Sequence, residues 1–567
     1  MRAFPSLSLI VICGLLFAEF IHPQTPAVSG KALQDLSKEF FDWRAVTQPC
    51  SGDDILRIER PDGWVPDCSP VSLKAQQQKY DEFKNRLNRL KQDLATRTDS
   101  IDYLLLRSAV ERVHWELSIL QAPYQNPDFY CQQTLGAVFE LLLISSPMTE
   151  QRIKNILLRL NSFPTTVKNA QTNLSDPVLA FTEIALDNMK DCRKKLKQTT
   201  DALKPLCDKK FYKELDQSSD KAAKSLEDYA NWLTSKKSDM KNNFSIGRDA
   251  YQYFLKYIAL IPFTPEELLL IGRQEWERSV SFETFEIRKN IKVPPDPVFE
   301  TIEDQIEKER LDEESVRSFL EEKNIMTAPS WVMKYWNAPI PDYLKPLVHM
   351  GVPDDLTSAT RLNENAYHYV PEPSATLPFF DLASAKDPLP NIVHEGVPGH
   401  YFQMVRSWKN ENPIRRHYFD SGANEGIGFY VEEMLMQFGL FDNRPHTREM
   451  MYHFMRLRAL RVETDIQLAL GNFSVQQAGD FLARSVPMDR ETAYDEAGFF
   501  AYNPGQAITY QIGKFQIHQF LSDARMMKQE KFELRSFHDQ LMINGNVPIA
   551  LQRWESLGLD DQIKKLW

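Results

Sequence analysis

His394-Glu395-Gly-Val-Pro-Gly-His400 sets two imidazoles and a carboxylate within seven residues, directly after the apolar Ile392-Val393. Neutral imidazoles bind Zn2+ while leaving a coordination position open for water, and an adjoining carboxylate can take that water's proton. The combination is the equipment of a metal-dependent hydrolase, with His394 and His400 as ligands and Glu395 as general base. The histidines are six residues apart, about 600° or a net 240° of helical rotation, rather than the four that place a pair on one helix face. An unbroken helix would point them in different directions. Pro398 removes a backbone donor and collides with the carbonyl of His394, while Gly399 lifts the steric limits on the backbone. A Pro-Gly kink or bulge is therefore predicted to swing His400 round to the same metal.

Beyond His400, the segment Asn424-Glu425-Gly-Ile-Gly-Phe-Tyr430-Val-Glu432-Glu433 reads as a helix whose first turn carries a carboxylate beside Gly426. Glu425 is the candidate third ligand. A carboxylate also collects near a helix N-terminus simply because the dipole favours it, and it is the company of the 394–400 segment that gives this one chemistry. Glu432 lies two turns further along the same face, placed to support a ligand or to substitute for one. A third segment, Tyr502-Asn-Pro504-Gly505-Gln506-Ala507-Ile-Thr509-Tyr510-Gln-Ile-Gly513-Lys514, reads as a Pro-Gly turn feeding a helix. Most tyrosines are merely packed, but Tyr510 is the candidate donor to the oxyanion of a tetrahedral intermediate.

Taken in order, HEGVPGHYFQ, NEGIGFYVEE and PGQAITYQIGKFQI resemble the domain of unknown function 885 family, which is grouped with the zincin metallopeptidases. The Asn-Glu-Gly followed by an aromatic is similar to the segment that supplies the glutamate ligand in gluzincins. Thr264-Pro-Glu-Glu267 is similar to a helix start that the family carries well upstream. The resemblance implies a mainly α fold, a large two-lobed zincin-like architecture with a small β element near the metal helix. It implies a Zn2+ site with His394, His400 and Glu425 as ligands and Glu395 and Tyr510 as catalytic groups, and no defined substrate. Two positions depart from the family's pattern: Ala469 stands where a histidine is usual, and Ile427 where a tryptophan is common. A missing imidazole that served the transition state would impair turnover. A secreted protein that keeps the metal and acts by binding is thus the competing expectation, and a metal-dependent amidase or esterase shares the same site.

The elements that must position these residues are helical nearly throughout. Apolar residues recur at helical spacing over 74–94, 101–120, 153–160, 176–203 and 211–233, and Thr264-Pro265-Glu266-Glu267 is a start signal with an N-cap, a first-turn proline and a reciprocal glutamate. Proline and aromatics crowd 331–373, and 368–381 is expected to hold one or two strands beside the metal helix, where zinc peptidases bind substrate backbone by strand addition. Residues 23–330 are expected to form a helical wall or lid, and 331–567 the catalytic region, continuous with it. By analogy with helical metallopeptidases, two such halves enclose a cleft for short peptides or chain ends, so the expected partner is a peptide or small amide substrate. Arg456, Arg458, Arg461 and Lys514 are candidates to pair with a substrate carboxylate or to form ion pairs. His349, His368, His417 and His453 are expected to be structural, and His518 follows Tyr510 closely enough to be checked.

With 43% hydrophobic residues in 567, the chain can bury a large core, and its net charge of -11 speaks against nucleic acid as a partner. Arg2 followed by an apolar stretch over 7–18 predicts a signal peptide at residues 1–22, too short for a confident span, and nothing else approaches a stable membrane span. The mature chain is thus expected to be secreted, of a self-association state the sequence does not define. Cys50 with Cys68 and Cys192 with Cys207 are plausible local bridges, leaving Cys131 over, although connectivity cannot be deduced from sequence. Asn173, Asn243 and Asn472 head glycosylation tripeptides and are expected at the surface.

Overall fold

The computed structural model describes residues 28–51, 58–145 and 147–567; the expected signal peptide lies outside them. Helices dominate, and most begin where capping chemistry directs. Ser69 accepts from the Ser72 amide ahead of Pro70–Leu90, and Thr96 with Asp99 forms a reciprocal capping box at Arg97–His114. The periodicity over 153–160 lies in the first half of a longer helix, Glu150–Asn173, which runs through Pro164. The pattern over 176–203 is two helices, Leu179–Asn188 and Cys192–Leu203, parted at Asp191, whose φ of 56° no helix can hold. The last of these N-terminal helices is Tyr212–Lys236. At Thr264 the predicted capping box is present, with Pro265 opening Pro265–Asn290.

The β element is three short strands, β1 (Tyr335–Pro339), β2 (Asp354–Asp355) and β3 (Ala366–Val370), ordered β1-β3-β2, with β1 parallel and β2 antiparallel to β3. Only the first residues of the expected 368–381 strand region belong to it. The chain leaves the sheet after Val370, and Phe379–Ser384 is helical. The sheet lies against the segment that carries His394 and His400, since Tyr335 packs on Tyr401 with ring centroids 5.9 Å apart.

Apolar cores draw on both sides of residue 330. Val316 and Leu320 pack with Val393, Tyr401 and Phe429, while Leu344, Leu347 and Met350 join the core of the N-terminal helices. Leu104 and Leu106 share a further core with Ile414 and Leu551. Among the described residues no helix is long and apolar enough to cross a membrane.

Two expectations are corrected. All five described cysteines are free thiols. Cys192 opens a helix of 12 residues and Cys207 follows it, so about 18 Å of helix intervenes, against the 7 Å or so a bridge allows between Cα atoms. Cys50 is clasped by Gln133, which accepts from its amide and donates to its carbonyl at 2.9 Å each, whereas Cys68 sits in a different core. Asn173 is buried, its amide donating to the Cys68 carbonyl (2.8 Å) and the Tyr130 hydroxyl (2.9 Å), which leaves no room for a glycan. Asn243 and Asn472 are exposed as expected.

Candidate metal centre

The segment that carries the two histidines is not a continuous α-helix. Residues Ile392–Gly396 form a π turn, and a new helix, His400–Trp408, starts on the second histidine. The intervening turn is so tight that a Cβ on Gly399 would lie 1.7 Å from the His394 carbonyl oxygen, so only glycine fits. The break does what the spacing requires: the two imidazoles meet edge to face, centroids 4.6 Å apart.

Glu425 arrives on the helix Ser421–Gln437, capped by Asp420, which accepts from the Ala423 amide at 2.8 Å. The carboxylate is therefore in the second turn, not the first as the sequence suggested. Three glycines allow the approach. A Cβ on Gly428 would stand 2.9 Å from the Cε1 atoms of both His394 and His400. Gly426 meets Gly513 of the helix Thr509–Lys528 backbone to backbone, a Cβ on it falling 2.5 Å from the Gly513 Cα. Asn424 ties the same turn to the His400 helix, donating to Gln403 Oε1 at 2.7 Å.

The result is a group of three candidate ligand atoms. Glu425 Oε2 lies 3.4 Å from His394 Nε2 and 3.3 Å from His400 Nε2, and it is buried without a hydrogen-bond partner. His394, His400 and Glu425 form a potential metal-binding group whose ligand atoms all lie within 4.8 Å of one another. Ligands about 2.05 Å from a tetrahedral zinc stand about 3.3 Å apart, which is the spacing found here. Glu395 stands back, 4.0 Å from each Nε2. It is set further from the imidazole nitrogens than Glu425 is.

Charge reinforces the geometry. Burial resists ionisation of Glu425, yet the two imidazoles hold its carboxyl well below the ordinary range. Against burial and the nearby Arg458, Glu425 and Glu432 push His394 up to about 9. Burial also pushes the Glu395 carboxyl upward. Three carboxylates around two imidazoles make a pocket that favours a net positive charge, which protons or a divalent cation can supply. Glu432, read from sequence as support or substitute, is support: its Oε1 lies 2.6 Å from His394 Nδ1, fixing that ring with Nε2 toward the ligand atoms, while Arg458 holds Oε2 at 2.9 Å. Glu432→Gln is expected to weaken zinc binding about 10–100-fold, measured by competition with a chromogenic chelator. An unaltered affinity would reduce Glu432 to a packing residue.

Tyr510 is brought to the site as predicted. Its ring lies parallel to that of His394, centroids 6.3 Å apart, with the Arg461 guanidinium 4.6 Å from its centre on the ring face. The turn before it is anchored by Asp465, which accepts from the Gly505 amide (2.9 Å), the Ala507 amide (2.8 Å) and the Tyr251 hydroxyl (3.0 Å). Gly505 takes φ 95°, a conformation that favours glycine. Ala469 falls in an apolar cluster with Leu268, Ile466 and Ile512.

Two cavities flank the ligand atoms, and Val352, Glu395 and Tyr510 border both. One, of about 330 Å3, is walled by Trp64, Leu141 and Ile144 of the N-terminal helical region and reaches His400 and Glu425. The other, of about 470 Å3, is lined by Phe380, Phe454 and Phe500 and reaches His394 and Glu432. Asp354 of edge strand β2 borders the first cavity and pairs with His368 at 2.5 Å, a pairing across β2 and β3 that no local motif signals. Despite burial, Asp354 pushes His368 up to about 9.

The expected carboxylate-binding cations are otherwise engaged. Arg456 pairs with Glu283 (3.1 Å), Arg458 with Glu432, Arg461 with Glu496, and Lys514 with Glu275 (2.7 Å) and Glu433 (2.9 Å). His518 packs on Tyr430, centroids 5.2 Å apart, rather than at the ligand atoms. His349 lies against the Asn188 carbonyl, His417 on Phe41, and His453 on Glu283.

The fold is shared with solved structures. A candidate lipoprotein of unknown function from Shewanella oneidensis superposes with a TM-score of 0.70 at 18% identity, covering 94% of this chain and 100% of that one. A candidate lipoprotein from Colwellia psychrerythraea gives 0.70 at 17%, covering 93% and 97%. No curated protein matches the sequence. The sequence profile described as bacterial protein of unknown function (DUF885) matches residues 52–554, a span that takes in both cavities' walls and every ligand candidate, and the chain belongs to that family.

Proposed function

We propose that this chain is a zinc-dependent metallopeptidase of zincin-like architecture, acting on short peptides or small amides after export. The observation that carries the reading is the ligand-atom group: one buried carboxylate oxygen at 3.3 and 3.4 Å from two Nε2 atoms, with a second carboxylate 4.0 Å from both. When bound, zinc polarises a carbonyl and lowers the pKa of a coordinated water. Glu395 accepts the proton of the attacking water and delivers it to the departing amine. Tyr510, parallel to the His394 ring, offers its hydroxyl to the oxygen that gains negative charge. The two-residue edge strand β2 borders the cavity that reaches His400 and Glu425, where it can take one end of an extended peptide. Export is supported by the apolar stretch after Arg2 and by the description of both structural neighbours as candidate lipoproteins.

The test is metal content by elemental analysis of wild type beside His400→Ala, with a mixed-peptide digestion read by mass spectrometry on the same samples. About one zinc per chain is expected in the wild type and far less in the variant, with defined cleavage by the wild type alone. A wild type that takes up no zinc when it is supplied would refute the reading.

A further inference from the structure

The four cations that sequence offers for a substrate carboxylate are all held by acids, whereas Arg60, among the described residues, is not, and its neighbour Arg159 has only a long contact to one. Arg60 and Arg159 both border the 330 Å3 cavity that reaches His400 and Glu425. Both guanidinium groups stand over the same indole, Arg60 4.2 Å and Arg159 4.9 Å from the centre of Trp64. Like charges gathered on one ring repel unless an anion joins them. Arg60 gives one bond to the Ala45 carbonyl (3.0 Å) and has no acidic partner among the described residues. Arg159 is 3% exposed, bonded to the Ala137 carbonyl, and its one acid, Glu140, is 3.4 Å away. The Nε donors of both arginines are buried and unpartnered.

The surrounding charges do not settle the balance. Arg44, whose own Nη1 is also buried without a partner, pairs with Glu116 at 2.9 Å. Three guanidinium groups thus face two carboxylates among the described residues. Of the other acids on the cavity, Asp355 pairs with Arg361, Asp354 pairs with His368 and Glu59 accepts from the Ser358 and Thr360 hydroxyls, while Glu395 and Glu425 lie at its other end with the imidazoles. Unmet N–H donors on a buried cation are costly, and a carboxylate fits a guanidinium fork with two parallel bonds.

We propose that Arg60 and Arg159 on Trp64 bind the C-terminal carboxylate of a peptide whose adjoining residues extend toward Glu395. The cavity is at the lower end of the range for small-molecule sites, about 300–1,000 Å3, so it suits a short chain end rather than a long segment. The cut that follows rests on the peptidase reading; the carboxylate site does not. If both hold, the enzyme removes residues from the C-terminus.

Calorimetry on the full chain carrying Glu395→Gln, with zinc supplied, separates the two. The probes are N-acetyl-Phe-Ala as the free acid, the same peptide as its amide, and N-acetyl-Phe-Glu amide, which carries its carboxylate on a side chain. The free acid is expected to bind at least tenfold more tightly than either amide. Adding Arg60→Gln should abolish that preference, and Arg60→Lys should restore part of it. Equal binding of acid and amide, no binding of any probe, or equal binding of the Glu amide would each overturn the assignment. A wild type that cleaves none of these peptides while the acid preference persists would sink the peptidase reading and leave the carboxylate site standing.

Discussion

Glu395→Gln is expected to slow peptide hydrolysis about 10³-fold while leaving zinc bound. Proton transfer by a positioned side chain contributes about 10²–10⁴-fold, and 10³ corresponds to about 4 kcal/mol of barrier. The geometry divides roles cleanly: Glu425 is at 3.3 and 3.4 Å from the imidazole nitrogens, whereas Glu395 is 4.0 Å from both and retains 23% of its side-chain exposure. A glutamine there keeps the volume and can still hydrogen-bond a water, but it cannot take the proton. The measurement is kcat on a peptide cleaved by the wild type, with zinc content determined on the same preparation. Hydrolysis that persists at more than about a tenth of the wild-type rate would remove Glu395 as base. Loss of zinc in step with activity would make it a ligand instead.

That His394, His400, Glu395 and Glu425 come together was legible because each belongs to a short motif whose residue types have few other uses together. The break between the histidines was also legible, since Pro398 and Gly399 announce it. What the motif does not carry is the reason the parts meet: Gly428 leaves room for both imidazoles, and Gly426 with Gly513 lets two helices touch by their backbones. Glycines in a sequence show freedom, not which neighbour uses it. The fate of the basic residues was hidden for a different reason. Arg461 and Lys514 look like free cations along the chain, yet Glu496 and Glu275 come from helices 35 and 239 residues away. Ion-pair partners at such separation leave no local pattern. The surroundings of Ala469, which departs from the family's histidine, were equally hidden: it packs into an apolar cluster with residues of other helices. The tripeptide at Asn173 likewise looks like a surface site, although its amide is spent inside the N-terminal helices.

Lys514→Met is expected to destabilise the protein by about 3–5 kcal/mol, the usual cost of removing one partner from a buried charge group. Lys514 is 2% exposed, its ammonium 4.0 Å from the centre of the Phe429 ring, and it bonds Glu275 and Glu433 while Arg278 bonds the same two carboxylates at 2.8 Å each. These four charges join the Pro265, Ser421 and Thr509 helices, two of which carry Glu425 and Tyr510. Without the lysine, two buried carboxylates share one guanidinium. The pH dependence follows from Glu433: burial opposes its ionisation, but Lys514 and Arg278 hold its carboxyl at about 2, below its ordinary 4.5. A depressed carboxyl contributes stability that is full above the unfolded value and is lost as pH falls through the folded one. The gap between wild type and variant in urea unfolding should therefore be widest at neutral pH and narrow as pH falls from 4.5 toward 2. Glu433→Gln added to Lys514→Met should recover part of the loss, because the remaining Glu275 then has Arg278 to itself. The folded variant should bind peptide acids as the wild type does, since the carboxylate site lies with Arg60. A variant that kept its stability but lost affinity for peptide acids would reverse the assignment and return Lys514 to the cleft.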